Sequence, residues 1–378
     1  MRRLIVKLMI VLITLAGIAT AIEGTKGTTG DNKKAEAQAS GTKLGEYTIS
    51  GPYIHENLAI YLIRGKDKIK DTKFVTLQEA LQQKKVTIFE TGAVNTLTVE
   101  NTSDDVYIYI HSGDIVRGGK QDRTVGYDYI IPPKSSKQPL SSFCVEQGRW
   151  RRRGKEPDKE FSISNNQLNS RSLKLAAKYD ASQADVWSEV AKTQEKLSEN
   201  LGKSVKSGQS PSSLELTLEN QELQKATQNY TNALLHLPEG KKNVVGYAFA
   251  INGELNSADI YASSALFRQL WPKLLKAIAV ESIAERQKKK QFNYPDTEAV
   301  KAFLQDAEKG EVTQKQINEK IRMIIRETKK NMVFETYWTG EREALHKNYI
   351  HKDKFSQMEQ PTRTRQIIET RPQLQQRP

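Results

Sequence analysis

Residues 44–145 are a succession of short β-branched and aromatic runs, and this pattern constrains the fold more than any other feature of the chain. LAIYLI (58–63), VTIFE (86–90), TLTVE (96–100), VYIYIH (106–111) and YDYII (127–131) are separated by Gly, Asn, Asp and Pro. Runs of that length and spacing predict strands joined by turns, arranged as a sandwich or a partly open barrel. In Tyr107-Ile108-Tyr109-Ile110, phenols alternate with branched aliphatics, so an isoleucine face is expected to meet the core while tyrosines line the other side. The one helical interruption is TLQEALQQ (76–83), where Thr76 and Glu79 have capping-box spacing.

After Trp150 the composition turns helical. Val186, Val190 and Leu197 recur at helical spacing near 184–201, and a Gly/Ser/Pro-rich stretch at 202–213 interrupts the pattern. Leu214, Leu218, Leu223, Tyr230, Leu234 and Leu235 give a second stripe, closed by Pro238 and Gly240. VVGYAFAI (244–251) and ELNSADIY (254–261) flank Asn252-Gly253, which predicts a type I′ hairpin with both central residues at positive φ. A helix carrying Leu266, Leu270, Leu274, Leu275, Ile278 and Ile283 follows, with Pro272 expected to kink it or open a second helix and Lys288 to Lys290 to close it. Residues 296–307 and 313–330 read as a helical pair around Gly310, and 332–338 as a last strand. The expected architecture is α+β. An N-terminal, mostly antiparallel β unit carries helices and a hairpin packed on it, with 286–351 as a C-terminal helical extension and 352–378 as a disordered tail rich in Gln, Arg and Pro.

The N-terminus points to export. Arg2 and Arg3 precede an apolar run over 4–21, broken by Lys7 and Thr14 and ending in Ala19-Thr20-Ala21. A basic start, an apolar middle and an A-x-A end describe a signal peptide, with an uncleaved anchor as the alternative. Residues 22–43 read as a flexible leader. Cleavage takes Arg2, Arg3 and Lys7 from a net charge of +13 and leaves +10. In an exported protein the expected partners of such a charge are an anionic small molecule or a cell-envelope polyanion rather than nucleic acid, with a merely solvated positive surface as the alternative. One cysteine excludes an internal disulfide, and Cys144, between Phe143 and Val145, is expected to be buried.

Candidate site residues fall where charged, glycine-rich turns meet strand-like runs. Asp114, Arg117, Lys120, Gln121, Asp122 and Arg123 surround Gly118-Gly119, and Cys144, Glu146, Arg149 and Trp150 lead into the basic turn Arg151-Arg152-Arg153-Gly154-Lys155. One reading is a polar pocket in which Lys120 and Arg123 hold an anion and Asp122 orients it; the other is a solvated hairpin tip or an internally paired loop. The stretch is not a phosphate loop, because Asp114 and Gln121 stand where Gly and Ser or Thr are needed. His55, His111, His236, His346 and His351 lack metal-ligand spacing, so neither a metal nor a cofactor is expected. Cys144 as a nucleophile requires a base, and His111 is the nearest histidine in sequence.

GGKQDR (118–123), IIPPKS (130–135), CVEQGRW (144–150), DVWSEV (185–190) and 244–275 together resemble the ARG and Rhodanese-Phosphatase-superfamily-associated protein domain, over roughly 44–285. The resemblance implies a bacterial and archaeal domain named for its association with ADP-ribosylglycohydrolases and rhodanese-like phosphatases. It carries no catalytic residues across. The leading expectation is a non-enzymatic exported binding or scaffold module. A hydrolase of ADP-ribose-like or other phosphorylated compounds, using Asp122, Arg123, Glu146 and Cys144, and a structural envelope protein are the alternatives. Convergence of residues 118–123 and 144–155 over a β scaffold is the test of any shared site.

Overall fold

The computed structural model describes residues 41–69, 72–168, 170–287 and 290–352. The expected signal peptide, nearly all of the leader, Lys288, Lys289 and the tail lie outside the described residues. The first half is β-rich: β1 Thr42–Leu44, β2 Tyr47–His55, β3 Leu58–Arg64, β4 Phe74–Thr76, helix α1 Leu77–Gln82, β5 Val86–Glu90, β6 Thr96–Asn101, β7 Tyr107–Ile110, β8 Asp114–Gly118, β9 Arg123–Val125, β10 Tyr129–Ile131, β11 Ser135–Cys144 and β12 Phe161–Gln167. Helices α2 Arg171–Lys178, α3 Gln183–Leu201, α4 Leu214–Leu218 and α5 Gln221–Leu234 follow. The chain then forms β13 Val244–Ile251, β14 Glu254–Tyr261, α6 Ser264–Ala284, α7 Thr297–Glu308, β15 Glu311–Gln316, β16 Ile321–Glu327, β17 Asn331–Trp338 and β18 His346–His351.

Three sheets result. The largest has nine strands in the order β1-β2-β3-β13-β14-β18-β17-β16-β15, the second six in the order β12-β8-β9-β11-β6-β5, and the third is β10-β7-β4. All pairings are antiparallel except β4 with β7. The architecture is α+β with mostly antiparallel sheets.

The apolar run of β3 is continuous because both faces of its sheet are covered. Leu58, Ile60 and Leu62 join the core under α6, whereas Ala59, Tyr61 and Ile63 join the core with Val300, Phe303 and Leu304 of α7. β13 does the same: Tyr247, Phe249 and Ile251 face one core and Ala248 and Ala250 the other. Its alternation reverses at Val245, where the pairing with β3 shifts register between Val244 and Gly246. One extra residue in a bulge turns every later side chain over.

Local rules hold where the signal is local. Thr76 and Glu79 form the reciprocal capping box of α1. Asn252 and Gly253 take φ +53° and +82° in the turn between β13 and β14. Ile108 and Ile110 meet one core while Tyr109 points into the other. The expected 214–237 helix is cut at Asn220, whose side chain caps α5. α6 runs through Pro272 without restarting.

The region after Arg286 departs further from expectation. Its first part, α7, is helical, but 313–330 is not the second helix of a pair. It forms β15 and β16, and with β17 and β18 these complete the nine-stranded sheet from β14 outward. The reason lies in alternation: Ile321 and Met323 are buried while Arg322 and Ile324 are only partly so, a period of two that charged neighbours obscured. β15 is exposed at every position, and its polar side chains blunt the sheet edge. The segment is therefore part of the body and not an appendage.

Gly246 provides a test of the β13–β14 approach. A Cβ there would lie 2.1 Å from the Asp259 carbonyl oxygen, so backbone must shift to accept it. Gly246→Ala is expected to cost about 3 kcal/mol, read from urea denaturation. A loss under about 1 kcal/mol would show that the strands can separate there without strain.

Candidate functional site

The two candidate segments leave the same end of the six-stranded sheet. Residues 119–122 connect β8 to β9, and 145–160 connect β11 to β12. Cys144 pairs with Arg123 across β11 and β9, and Phe161 pairs with Gly118 across β12 and β8. Gly118 and Gly119 take φ +121° and +54°, and a Cβ on Gly119 would meet both Glu90 and Phe161 at 2.6 Å. The double glycine lets the loop lie flat on the sheet end.

Beneath these loops is a solvent-excluded ion network. Asp122 and Glu146 are 0% exposed. Arg149 grips Glu146 in a forked pair, Nε to Oε1 at 2.8 Å and Nη2 to Oε2 at 2.7 Å, and its Nη2 lies 3.8 Å from Asp122. Arg153 Nη1 is 2.9 Å from Asp122 Oδ2 and 3.8 Å from Glu146 Oε2, so one guanidinium bridges both carboxylates. The Ser210 hydroxyl also donates to Glu146, and Trp187 Nε1 donates to the Glu146 carbonyl at 3.2 Å. Glu156 joins Arg153 at 2.8 Å to Arg117 at 3.1 Å, and Arg117 reaches Glu219 at 2.6 Å. Burial pushes the Asp122 carboxyl up despite Arg153. Burial acts the same way on Glu146, but hydrogen bonds from Arg149 and Ser210 outweigh it and hold that group below its ordinary range. At the end of the chain, burial lifts Glu215 to about 7 while the Ser164 hydroxyl donates to it at 2.9 Å.

The ten candidates therefore have different places. Asp122, Glu146 and Arg149 are spent on one another and on Arg153, and Arg117 is spent on Glu156 and Glu219. Asp114 turns away, taking the His111 amide at 3.0 Å and Lys273 Nζ at 2.7 Å. Buried Gln121 offers its carbonyl to Arg123 at 3.0 Å. Cys144 is buried, its backbone clamped by the Gln183 side chain at 2.8 and 2.9 Å, and burial pushes its thiol up to about 11. His111 bonds Tyr261 instead and does not serve the thiol as a base. Lys120, Arg123 and Trp150 form the outer group: Lys120 Nζ and the Arg123 guanidinium carbon sit 5.0 and 5.5 Å from the Trp150 ring centre. Trp150 is 45% exposed, while Arg123 is 0% exposed.

A second polar cluster lies inside the molecule, and the sequence reading missed it. His346 stands between two carboxylates, Nδ1 3.0 Å from Asp128 and Nε2 3.0 Å from Asp259. Tyr109, the Ser112 amide and Thr336 also donate to Asp128, at 3.0, 2.9 and 2.7 Å, with Lys178 3.6 Å away. Asn348 and Tyr247 donate to Asp259. Tyr261, opposite His346 across β14 and β18, stacks on its ring at 4.4 Å and bonds His111 Nε2 at 3.0 Å. His111, Asp128 and His346 bring three potential metal-ligand atoms within 4.8 Å of one another. Asp128 and His346 are bonded to each other, and a metal ion at His346 would displace a carboxylate already bonded there. Burial lowers His111 to about 4. Burial also opposes charge on His346, but Asp128 and Asp259 outweigh it and raise its pKa. Lys178 and His346 hold Asp128 well below the carboxylate range, and His346 does the same for Asp259. Only the strand order β14-β18 could have shown this convergence in advance.

Comparison with known proteins adds one decisive finding. The model of the ARG and Rhodanese-Phosphatase-superfamily-associated Protein domain matches residues 46–350. The chain belongs to this family. No curated protein and no solved structure matches it. The domain reaches β18, beyond the 285 at which the resemblance had been seen to stop, and so takes in His346 and the strands that complete the large sheet.

Two outcomes follow for the family domain. Arg153→Met leaves two dry carboxylates short of their shared cation and is expected to cost about 3–5 kcal/mol in urea denaturation, with Arg153→Met/Asp122→Leu recovering part of it. Full additivity of the two changes would deny the pairing. For pH, His346 is raised from 6.5, so its contribution is complete below about 6.5 and is lost as pH rises through its folded value. His111, lowered to about 4, works oppositely, and its neutral burial loses stability as pH falls from 6.5 toward 4. Denaturation midpoints across pH should show the alkaline decline shrinking in His346→Gln and the acid decline shrinking in His111→Gln; unchanged slopes would refute the assignment.

Proposed function

We infer that this protein is an exported binding module that docks an anionic polymer of the cell envelope through the Trp150 lip. What carries the reading is the division of charge around that lip. Arg149 and Arg153 face inward and are neutralised by Glu146, Asp122 and Glu156. Arg151, Arg152 and Lys155 are exposed, and Lys120 half-buried, with no ion pair among the described residues. Lys120 lies 5.0 Å from the centre of the exposed Trp150 ring, and Arg151, Arg152 and Lys155 follow Trp150 on a loop fixed from below. An aromatic face with surrounding cations suits an extended anionic chain, which needs charge and planar contact more than enclosure.

Export rests on the basic, apolar and A-x-A order of residues 1–21, and the net charge of +10 left after removal of Arg2, Arg3 and Lys7 from +13 favours a polyanion. A hydrolytic role has less support. Asp122 and Glu146 do converge, but onto arginines in a closed network, and the Cys144 thiol is held protonated.

Binding to long-chain polyphosphate and to dextran sulfate, with neutral dextran as control, tests the reading. Affinity for both polyanions is expected to fall at least about tenfold between low salt and about 0.5 M salt as screening shortens the reach of exposed charges. Arg151→Glu/Arg152→Glu should weaken binding by about tenfold without shifting the melting temperature, because exposed substitutions away from buried features change stability little. Affinity that survives high salt, or a double variant that binds like the unaltered protein, would reject the proposal.

A further inference from the structure

Arg123 is the fully buried arginine of this end of the molecule, and two of its nitrogens have spent no hydrogen bond. It is 0% exposed, and a guanidinium carries five N–H donors. Nη1 donates to the Gln121 carbonyl at 3.0 Å. Nε and Nη2 are sealed from solvent and have no hydrogen-bond partner. The nearest carboxylate, Glu90, stops 3.6 Å from Nη2. Its two oxygens are already taken by loop amides, Lys120 N at 3.1 Å and Gly92 N at 2.9 Å. The Ser142 hydroxyl, two residues before Cys144 on the same strand face as Arg123, is also buried without a partner. Idle donors thus remain at Arg123, and Arg123 and Lys120 against Glu90 leave one positive charge over.

A buried cation with idle parallel donors is suited to an acceptor-only anion, since Nε and Nη2 can form the two bonds of a fork with adjacent oxygens. One side chain stands over it. The Trp150 ring covers both Arg123 and Lys120 by cation–π contact and is itself exposed. Gly148, two residues earlier, sits at φ +85° with open space where a Cβ would be.

We propose that Arg123, Lys120 and Ser142 form a subsite for a single oxyanion, a phosphate, phosphodiester or carboxylate group, with the Trp150 ring as its lid. The subsite deepens the docking role proposed above, because it would take one charged group of the polymer while Arg151 and Arg152 follow its length. In the free protein the indole occupies the cations; when it swings aside, the guanidinium fork and the ammonium receive the anion.

Isothermal titration of the full chain with inorganic phosphate, dimethyl phosphate and acetate, together with the NMR resonance of the Arg123 Nε–H, tests this. Saturable binding that moves that resonance is expected. Trp150→Ala should tighten it by about threefold to tenfold, since the lid no longer competes, although the same change removes the aromatic contact used by a polymer. Arg123→Lys, which keeps the charge but not the fork, should weaken it at least about tenfold. If that variant does not fold, Lys120→Gln serves in its place with a loss of about threefold or more. Absence of saturable binding in Trp150→Ala, or an Arg123 resonance that ignores all three anions, overturns the subsite and means that the idle donors are met by water alone. Polymer binding that persists with no small-anion binding would overturn the subsite while leaving the docking role intact. The relative response to the two phosphates and acetate tells a phosphate source from a carboxylate one.

Discussion

Two carboxylates placed out of reach of water, Asp122 and Glu146, determine how the loop end of this molecule is built. A dry carboxylate is tolerable only when cations and donors surround it, and here Arg149, Arg153 and Ser210 do so. Those partners come from different stretches of chain, so satisfying the charge fixes the path of the 145–155 loop and ties it to the segment before α4. A replacement by apolar side chains of similar volume could hold the loop as firmly, because the desolvation cost of buried ions offsets much of their attraction. What ions add is direction. A fork of two N–H groups on two oxygens sets the loop's angle, and with it the outward placement of Trp150.

The second network performs the same service between sheets. Asp128 belongs to the connection between β9 and β10, Asp259 to β14 and His346 to β18, so His346 joins the small sheet's neighbourhood to the large one. Its position explains why the strands after residue 310 are part of the body: without β18 the two carboxylates would face each other with no cation between them. Tyr261 adds a ring stacked nearly parallel, at 2°, which leaves the imidazole little freedom to turn away from either acid. Both networks use residues distant in sequence and turn most of their polar groups on one another, so each reads as structural support rather than chemistry in waiting.

The legible parts of this fold were those written locally. LAIYLI at β3, the capping box at Thr76 and the Asn252-Gly253 turn each depend on neighbours within a few residues, and each formed as the pattern implied. Residues 313–330 were misread because Ile321, Met323 and Ile325 alternate among charged residues that suit a helix surface equally well, and only pairing with β17 decides between them. In the candidate site the sequence disclosed which charges gather at 118–123 and 144–155 but not which of them meet. Arg149 and Arg153 looked like groups for a ligand and prove to be groups for Glu146 and Asp122. His346 could not be connected with Asp128 or Asp259 at all without the order of strands in the sheet.

The contrast between Arg153 and Arg123 shows how far a charge count can be taken. Both are buried, and both lie near a carboxylate. Arg153 spends its fork on Asp122 and Glu156 at 2.8–3.3 Å. Arg123 faces a carboxylate whose oxygens have been claimed by backbone amides, and the 3.6 Å gap to Glu90 is longer than a hydrogen bond allows. A fold that brings the buried Arg153 to within bonding distance of its carboxylates leaves the buried Arg123 underused, next to the exposed indole of Trp150. Packing alone gives no reason for that exception. A guanidinium serving only as filler would be bonded as Arg153 is, or replaced by an apolar side chain free of the desolvation cost.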